Sequence, residues 1–228
     1  MIICHKYKFI FLKTRKTAGT SIEIGLSHHC ERKDVLAPLV PKDEKIRHAH
    51  TGLGKQNYIP SIRNYHFYAW LKLLKTRSRI QYVNHTTAQD VRATIPQSVW
   101  NNYFKFCFER NPWDKAVSWY YWKTAGLSEP PSLCNFLQRE DSNKISNFGI
   151  YSILGEIAVD YIARFEDLDY ELEKVSKILG LPSALNIPKT KYNNRPKNLN
   201  YKQILSKESQ SMIEEICHRE IGLLNYQY

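Results

Sequence analysis

Short apolar runs and helix-spaced apolar positions alternate along this chain. The opening run MIICHKYKFIFL reads as a first strand, with Lys8 to Leu12 its buried part, and Thr20 to about His29 reads as a helix with Ile22, Ile24 and Leu26 among its apolar positions. Residues 31–65, punctuated by Pro38, Pro41, Gly52, Gly54 and Pro60, predict irregular loop or short helices over one face. HFYAWLKLLKTRSR (66–79) predicts a basic helix, Ile80–Val83 a short strand and Thr87–Ile95 a helix. Tyr103–Phe108 is the clearest strand, and Pro112 opens a helix that runs to about Lys123. Asp160–Phe165 predicts another strand, followed by a helix over Asp169–Leu179 that Gly180 and Pro182 end; a last helix spans about Lys207 to Ile221. Strands alternating with helices predict one α/β domain over residues 1–228, a three-layer sandwich with a central parallel sheet flanked by helices.

Composition narrows the chemistry. The 228 residues are 43% hydrophobic and 24% charged, enough to bury one sizeable core. Lys and Arg number 33 against 22 Asp and Glu, a formal charge of +11, which favours polyanionic partners without choosing among them. The five cysteines (Cys4, Cys30, Cys107, Cys134 and Cys217) have neither the spacing of a zinc site nor that of a disulfide framework, so reduced thiols and a cytoplasmic location are expected. The first residues lack a small-residue cleavage pattern, and no apolar run approaches a membrane span, so no membrane partner is expected.

The stretch FLKTRKTAGTSIEIGL (11–26) carries the first candidate site. A strand stops, a polar turn with one Gly follows, and a helix begins, which is the layout of a phosphate-binding loop without its G-x-x-x-x-G-K-[ST] pattern. Gly19 lets the backbone turn, the helix start presents amides and a partial positive charge, and Thr17, Thr20 and Ser21 add hydroxyl donors. Lys16 can reach an oxygen on which negative charge develops. The bland alternative is a helix capped by Thr20 or Ser21.

The second stretch, YFKFCFERNPWDKAVSWYYW (103–122), puts Arg110 at a strand end and Ser118 inside the next helix, where a guanidinium fork and a hydroxyl can converge on one phosphate. With both stretches in this order, the chain resembles the sulfotransferases that use 3′-phosphoadenosine 5′-phosphosulfate (PAPS). KTAGTS resembles their 5′-phosphosulfate loop and RNPWDKAVSWYY their 3′-phosphate motif; RFEDL and the terminal LLNY are similar too, as is NHTTA to a segment of the carbohydrate-type branch. Arg15 and Lys115 stand where relatives often carry Pro and Arg.

The resemblance implies a P-loop NTPase-like fold, PAPS as donor with adenosine 3′,5′-bisphosphate as product, no metal, and a hydroxyl acceptor of saccharide or other acidic or polar type. Carried over by residue, Lys16 would contact the bridging oxygen, Thr17, Gly19, Thr20 and Ser21 would hold the 5′-phosphate, Arg110 and Ser118 would hold the 3′-phosphate, and Arg15 and Ala18 join the cofactor-binding loop. Asn194, Arg195 and Lys197 in the loop KTKYNNRPKN form either a lid or a plain solvated linker. The acceptor must lose a proton, and His85, read as lying at a strand end, is the favoured base; His48, His50 and Glu44 compete. Of Trp113, Trp119, Tyr120, Tyr121 and Trp122, most are expected in the core and one or two in a cleft. The basic stretch LKLLKTRSR favours an acidic or sugar polymer as acceptor. Two other readings stay open: a P-loop kinase using Asp167 for metal, and a basic nucleic-acid-binding module, the less favoured partner.

Overall fold

The opening apolar run folds as a hairpin and not as one strand. In the computed structural model, which describes residues 1–138, 144–188 and 200–228, β1 (Ile2–Cys4) and β2 (Phe9–Phe11) pair antiparallel with Ile3 opposite Ile10. The polar residues His5, Lys6 and Lys8 are exposed between them, and Lys8 turns the chain at φ 49°. Lysines in the middle of a strand buried on both faces would lose their hydration without a partner, so the run breaks where they occur.

After β2 come α1 (Gly19–Ser27), β3 (Val35–Leu36), α2 (Pro41–Thr51), α3 (Phe67–Thr76), α4 (Ala88–Arg92) and α5 (Gln97–Asn102). Then follow β4 (Phe104–Glu109), α6 (Pro112–Thr124), α7 (Leu133–Leu137), α8 (Phe148–Tyr151), a small ribbon of β5 (Ser152–Ile153) and β6 (Glu156–Ile157), and β7 (Tyr161–Arg164). The chain ends with α9 (Leu168–Ile178), α10 (Tyr201–Ile204), α11 (Lys207–Ile216) and α12 (His218–Leu224). The last long helix expected from the sequence is thus two, broken at Cys217.

The main sheet has the order β3-β1-β2-β4-β7. β2, β4 and β7 are parallel neighbours, Ile10 beside Lys105 and Cys107 beside Ile162, while β1 runs against both β2 and β3. The sheet is therefore mostly parallel and not wholly so. A four-residue turn can join only antiparallel strands, since a parallel return needs a crossover of a dozen residues or more. Ile80–Val83, expected as a strand, joins no sheet; it is an extended segment in which Ile80 and Tyr82 are buried and Gln81 and Val83 exposed.

Alternation along β2 and β4 divides the core into layers. Phe9, Phe11, Phe106 and Phe108 face Ile22 and Leu26 of α1 and Leu172 and Val175 of α9. Ile10, Leu12 and Cys107 face Tyr82, Val91 of α4, Trp100 of α5 and Tyr151 of α8. Each fully buried Phe or Leu contributes up to about 2–3 kcal/mol. A further cluster, Trp113, Val117, Leu137, Ile213 and Cys217, packs α6 against α7 and α11. Two apolar faces on one sheet anchor the three parallel strand ends, where the candidate residues gather.

Candidate functional site at the parallel strand ends

β2, β4 and β7 all stop at one edge of the sheet, and each hands the chain to a turn and a helix. After β2, Leu12 still donates its amide to Phe106 O (2.9 Å), and buried Lys13 and Thr14 continue into the loop. The Thr14 hydroxyl donates to the Phe108 carbonyl and shares a 2.9 Å hydrogen bond with Thr17 Oγ1, which ties the loop to β4. Lys16 (φ 61°) and Ala18 (φ 57°) are both left-handed and make the tight turn. Gly19 was expected to make it; its glycine is required for a different reason. A Cβ there would sit 2.8 Å from Lys13 Cγ and 3.2 Å from Thr14 O, so only glycine lets α1 start this close to the strand.

The bland alternative, capping by Thr20 or Ser21, does not occur: Ala18 is the N-cap, without a side-chain cap bond, and the first turn of α1 holds no acidic residue. Thr20 and Ser21 are buried in that first turn, and Thr17 is buried just before it. The helix start thus combines its dipole with three hydroxyls and no carboxylate, the composition of an anion site.

Asn147, for which the sequence offered no signal, clamps this loop. Fully buried, it accepts from the Arg15 amide at Oδ1 (2.9 Å) and donates from Nδ2 to the Arg15 carbonyl (3.1 Å) and to Glu109 Oε1 (3.1 Å). Its own amide donates to Glu220 Oε1 (2.8 Å). Beneath it, Lys115 Nζ lies 2.8 Å from Glu109 Oε1 and 3.7 Å from Glu220 Oε1, all but sealed from water. Burial pushes the Glu109 carboxyl up, while its Lys115 partner opposes the shift. Lys115 is a structural cation here and does not reach the loop's open side.

Arg110 follows the end of β4. Its guanidinium donates Nη1 to the Lys16 carbonyl (3.1 Å), forks Nε and Nη2 onto Asp114 Oδ2 (2.8 and 2.5 Å), and stacks 4.3 Å from the centre of the Phe165 ring beyond β7. One side chain therefore touches the turns after all three parallel strands. Ser118, half-buried, is one helical turn past Asp114 on the same face of α6. One further turn along stands Trp122, partly exposed, with Lys16 Nζ 5.3 Å from its ring centre. Trp113 and Trp119 are core, as expected for most of these aromatics.

His85 lies in a turn and not at a strand end, because Ile80–Val83 pairs with no strand. The turn nonetheless reaches the loop: His85 Nδ1 is 3.0 Å from the Lys13 carbonyl, and Lys13 Nζ donates to Asn84 Oδ1 (2.9 Å). A carbonyl only accepts, so Nδ1 carries the proton and Nε2 keeps its lone pair. Burial pulls the His85 pKa down to about 4, with Arg15 and Lys13 adding to the shift and the Lys13 carbonyl opposing it. His48 and His50 are exposed in the last turn of α2, and no described contact joins them to the loop. Glu44 holds Arg47 and the Leu39 and Lys55 amides.

The structure thus gathers Arg15, Lys16, Thr17, Ala18, Gly19, Thr20, Ser21, Arg110, Ser118 and His85 at one sheet edge. Asn194, Arg195 and Lys197 lie outside the described residues. Lys13, Asn84, Asp114, Asn147 and Phe165 join the site without having been singled out by sequence. Two cavities, about 540 Å³ beside α9 and about 250 Å³ beside Tyr7 and His29, include none of the site residues.

An uncharacterized protein of Archaeoglobus fulgidus is 33% identical to this chain over 101 residues, 42% of this chain and 84% of that protein. The chain belongs to that protein's family. Neither a family model nor a solved structure matches it. Among the described residues no helix is long and apolar enough to cross a membrane.

Proposed function

We propose that the chain is a sulfotransferase with a P-loop-like fold, which moves a sulfuryl group from PAPS to a hydroxyl of a saccharide. The observation that carries this reading is the Arg110 contact with the Lys16 carbonyl, which puts two anion-binding features at one sheet edge. The residues fit a donor with two separate phosphate positions. One lies at the start of α1, where the cap has no side-chain partner and Gly19 lets the backbone approach. The other lies at Arg110 and Ser118 on α6, where Asp114 holds the guanidinium in place.

PAPS, when bound, supplies the sulfuryl group. Lys16 stabilises the charge that grows on the leaving oxygen, and the α1 amides with Thr17, Thr20 and Ser21 hold the 5′-phosphate. Nε2 of His85 takes the proton that the acceptor hydroxyl loses, and the Lys13 carbonyl at Nδ1 keeps the ring in the tautomer that does so. Trp122 beside Lys16 gives a ring face on which a sugar or a base can stack.

The test is calorimetric titration with adenosine 3′,5′-bisphosphate beside adenosine 5′-monophosphate. We expect tighter binding of the bisphosphate by about tenfold or more, the value of a charge-assisted contact. Equal affinities, or no binding of either, overturn the reading. A kinase-like phosphotransferase would instead bind a nucleoside triphosphate with metal. Its candidate ligand Asp167 stands exposed before α9.

A further inference from the structure

We propose that α3 is an interfacial helix that seats the chain on an anionic lipid bilayer. Its polarity is turned outward. Ala69 is buried and Leu73 partly so, and both pack on Tyr65, Ile80 and Ala93. Phe67, Trp70, Leu71 and Leu74, spaced i, i+3, i+4 and i+7, are 76%, 43%, 49% and 73% exposed; Trp70 stands at the border of that cluster, its ring 5.9 Å from Tyr65, and the other three are turned further out. That spacing is the stripe by which a surface helix normally grips its own core. Here it points at solvent, and Ile59 and Ile62 just before it are also exposed. Isolated exposed apolar residues are ordinary, but a whole stripe marks a contact surface.

Charge selects the partner. Lys75 closes the helix, Arg77 and Arg79 follow it, and Arg63 precedes it, all exposed. The acid that meets α3, Asp90, is already 2.7 Å from Lys72 Nζ. Two copies packed stripe to stripe would set these like charges near one another. A soluble acidic polymer would meet the cations and leave the leucines in water. An anionic bilayer satisfies both: the stripe enters the headgroup and acyl boundary, the cations meet lipid phosphates, and Trp70 and Tyr68 suit the interface. At ten residues, α3 lies on the surface and does not cross it. This binding stands apart from sulfuryl transfer and holds whatever the strand-end site does.

Vesicle co-sedimentation of the full chain tests it, with phosphatidylcholine alone and mixed with phosphatidylglycerol. We expect binding to the mixed vesicles, little to the neutral ones, and weakening in salt. Leu71→Ser with Leu74→Ser should lower partitioning by about tenfold or more, with far-UV circular dichroism unchanged because both side chains are exposed. In the parent chain, bromine-labelled lipid should quench tryptophan emission, and Trp70→Phe should remove most of that quenching; this readout stands if the leucine variant folds poorly. A parent chain that stays in the supernatant overturns the proposal. So does binding that the leucine pair leaves unchanged, which would indicate a polyanion surface. So does a concentration-dependent dimer that the leucine pair abolishes, which would make a second copy the occupant.

Discussion

Asn147→Ala is the sharpest test of how the anion loop is held. The side chain makes three hydrogen bonds at zero exposure, two to the Arg15 backbone and one to Glu109. Truncation leaves the part-buried Arg15 amide and carbonyl without this partner and removes one of the donors to Glu109 Oε1, which keeps Lys115 Nζ and the Arg110 amide. A group left without its partner costs about 1–3 kcal/mol, and a water entering the vacated space recovers part of it, so the loss for the two Arg15 groups comes to about 2–4 kcal/mol. Urea unfolding should show this directly, as a large part of the 5–15 kcal/mol that domains typically possess. With the loop released, affinity for adenosine 3′,5′-bisphosphate should also fall, by about tenfold. Asn147→Asp separates packing from charge: its carboxylate would face Glu109, so that variant should regain stability as pH falls and the new carboxyl takes a proton. A loss under about 1 kcal/mol in Asn147→Ala, with unchanged affinity, refutes the clamp.

Because burial with Arg15 and Lys13 holds His85 near 4, kcat/KM should stay flat across neutral pH and fall only as pH drops through about 4; an inflection near 6.5 would contradict this. The same depressed value means that His85 favours the fold fully above about 6.5 and that this contribution is lost as pH falls from there to about 4, which acid-unfolding midpoints of the parent and His85→Asn will show. Arg110→Ala should shrink the preference for the bisphosphate over the 5′-monophosphate by about tenfold or more; full discrimination in the variant would move the 3′-phosphate elsewhere. Lys16→Ala should lower turnover about a hundredfold and bisphosphate affinity far less, and the reverse pattern would remove its role at the leaving oxygen. Gly19→Ala, with its Cβ 2.8 Å from Lys13 Cγ, should cost about 1–3 kcal/mol in urea unfolding, whereas a neutral result means the loop yields easily.

Elements with a strong apolar period were legible. β4 and α6 lie within a residue or two of where the pattern of apolar residues, the strand-end Arg110 and the Pro112 start put them. α2 falls in the stretch that reads as irregular loop or short helices, although Pro41 starts it, Asp43 and Glu44 fill its first turn and Gly52 (φ 68°) ends it. Its inward residues are Asp43 and Arg47, so a search for apolar stripes passes over it. Ile80–Val83 shows the opposite failure: its alternation of buried and exposed residues is real, but it packs two side chains inward without joining a ladder. Of the site, the residues on the two strand-to-helix turns were visible because local chain geometry places them. Asn147 is 132 positions from Arg15, and no local rule brings such a pair together.

Left-handed geometry at Lys16 and Ala18 costs residues with a Cβ about 1–2 kcal/mol each, and glycine would adopt it without that penalty. Glycine would also leave the turn freer when no anion is present. On the proposed reading, the chain instead keeps a stiff, tensioned cradle whose amides would need little ordering at the moment of capture. Evolution toward higher melting temperature and evolution toward faster capture would therefore pull Ala18 in opposite directions.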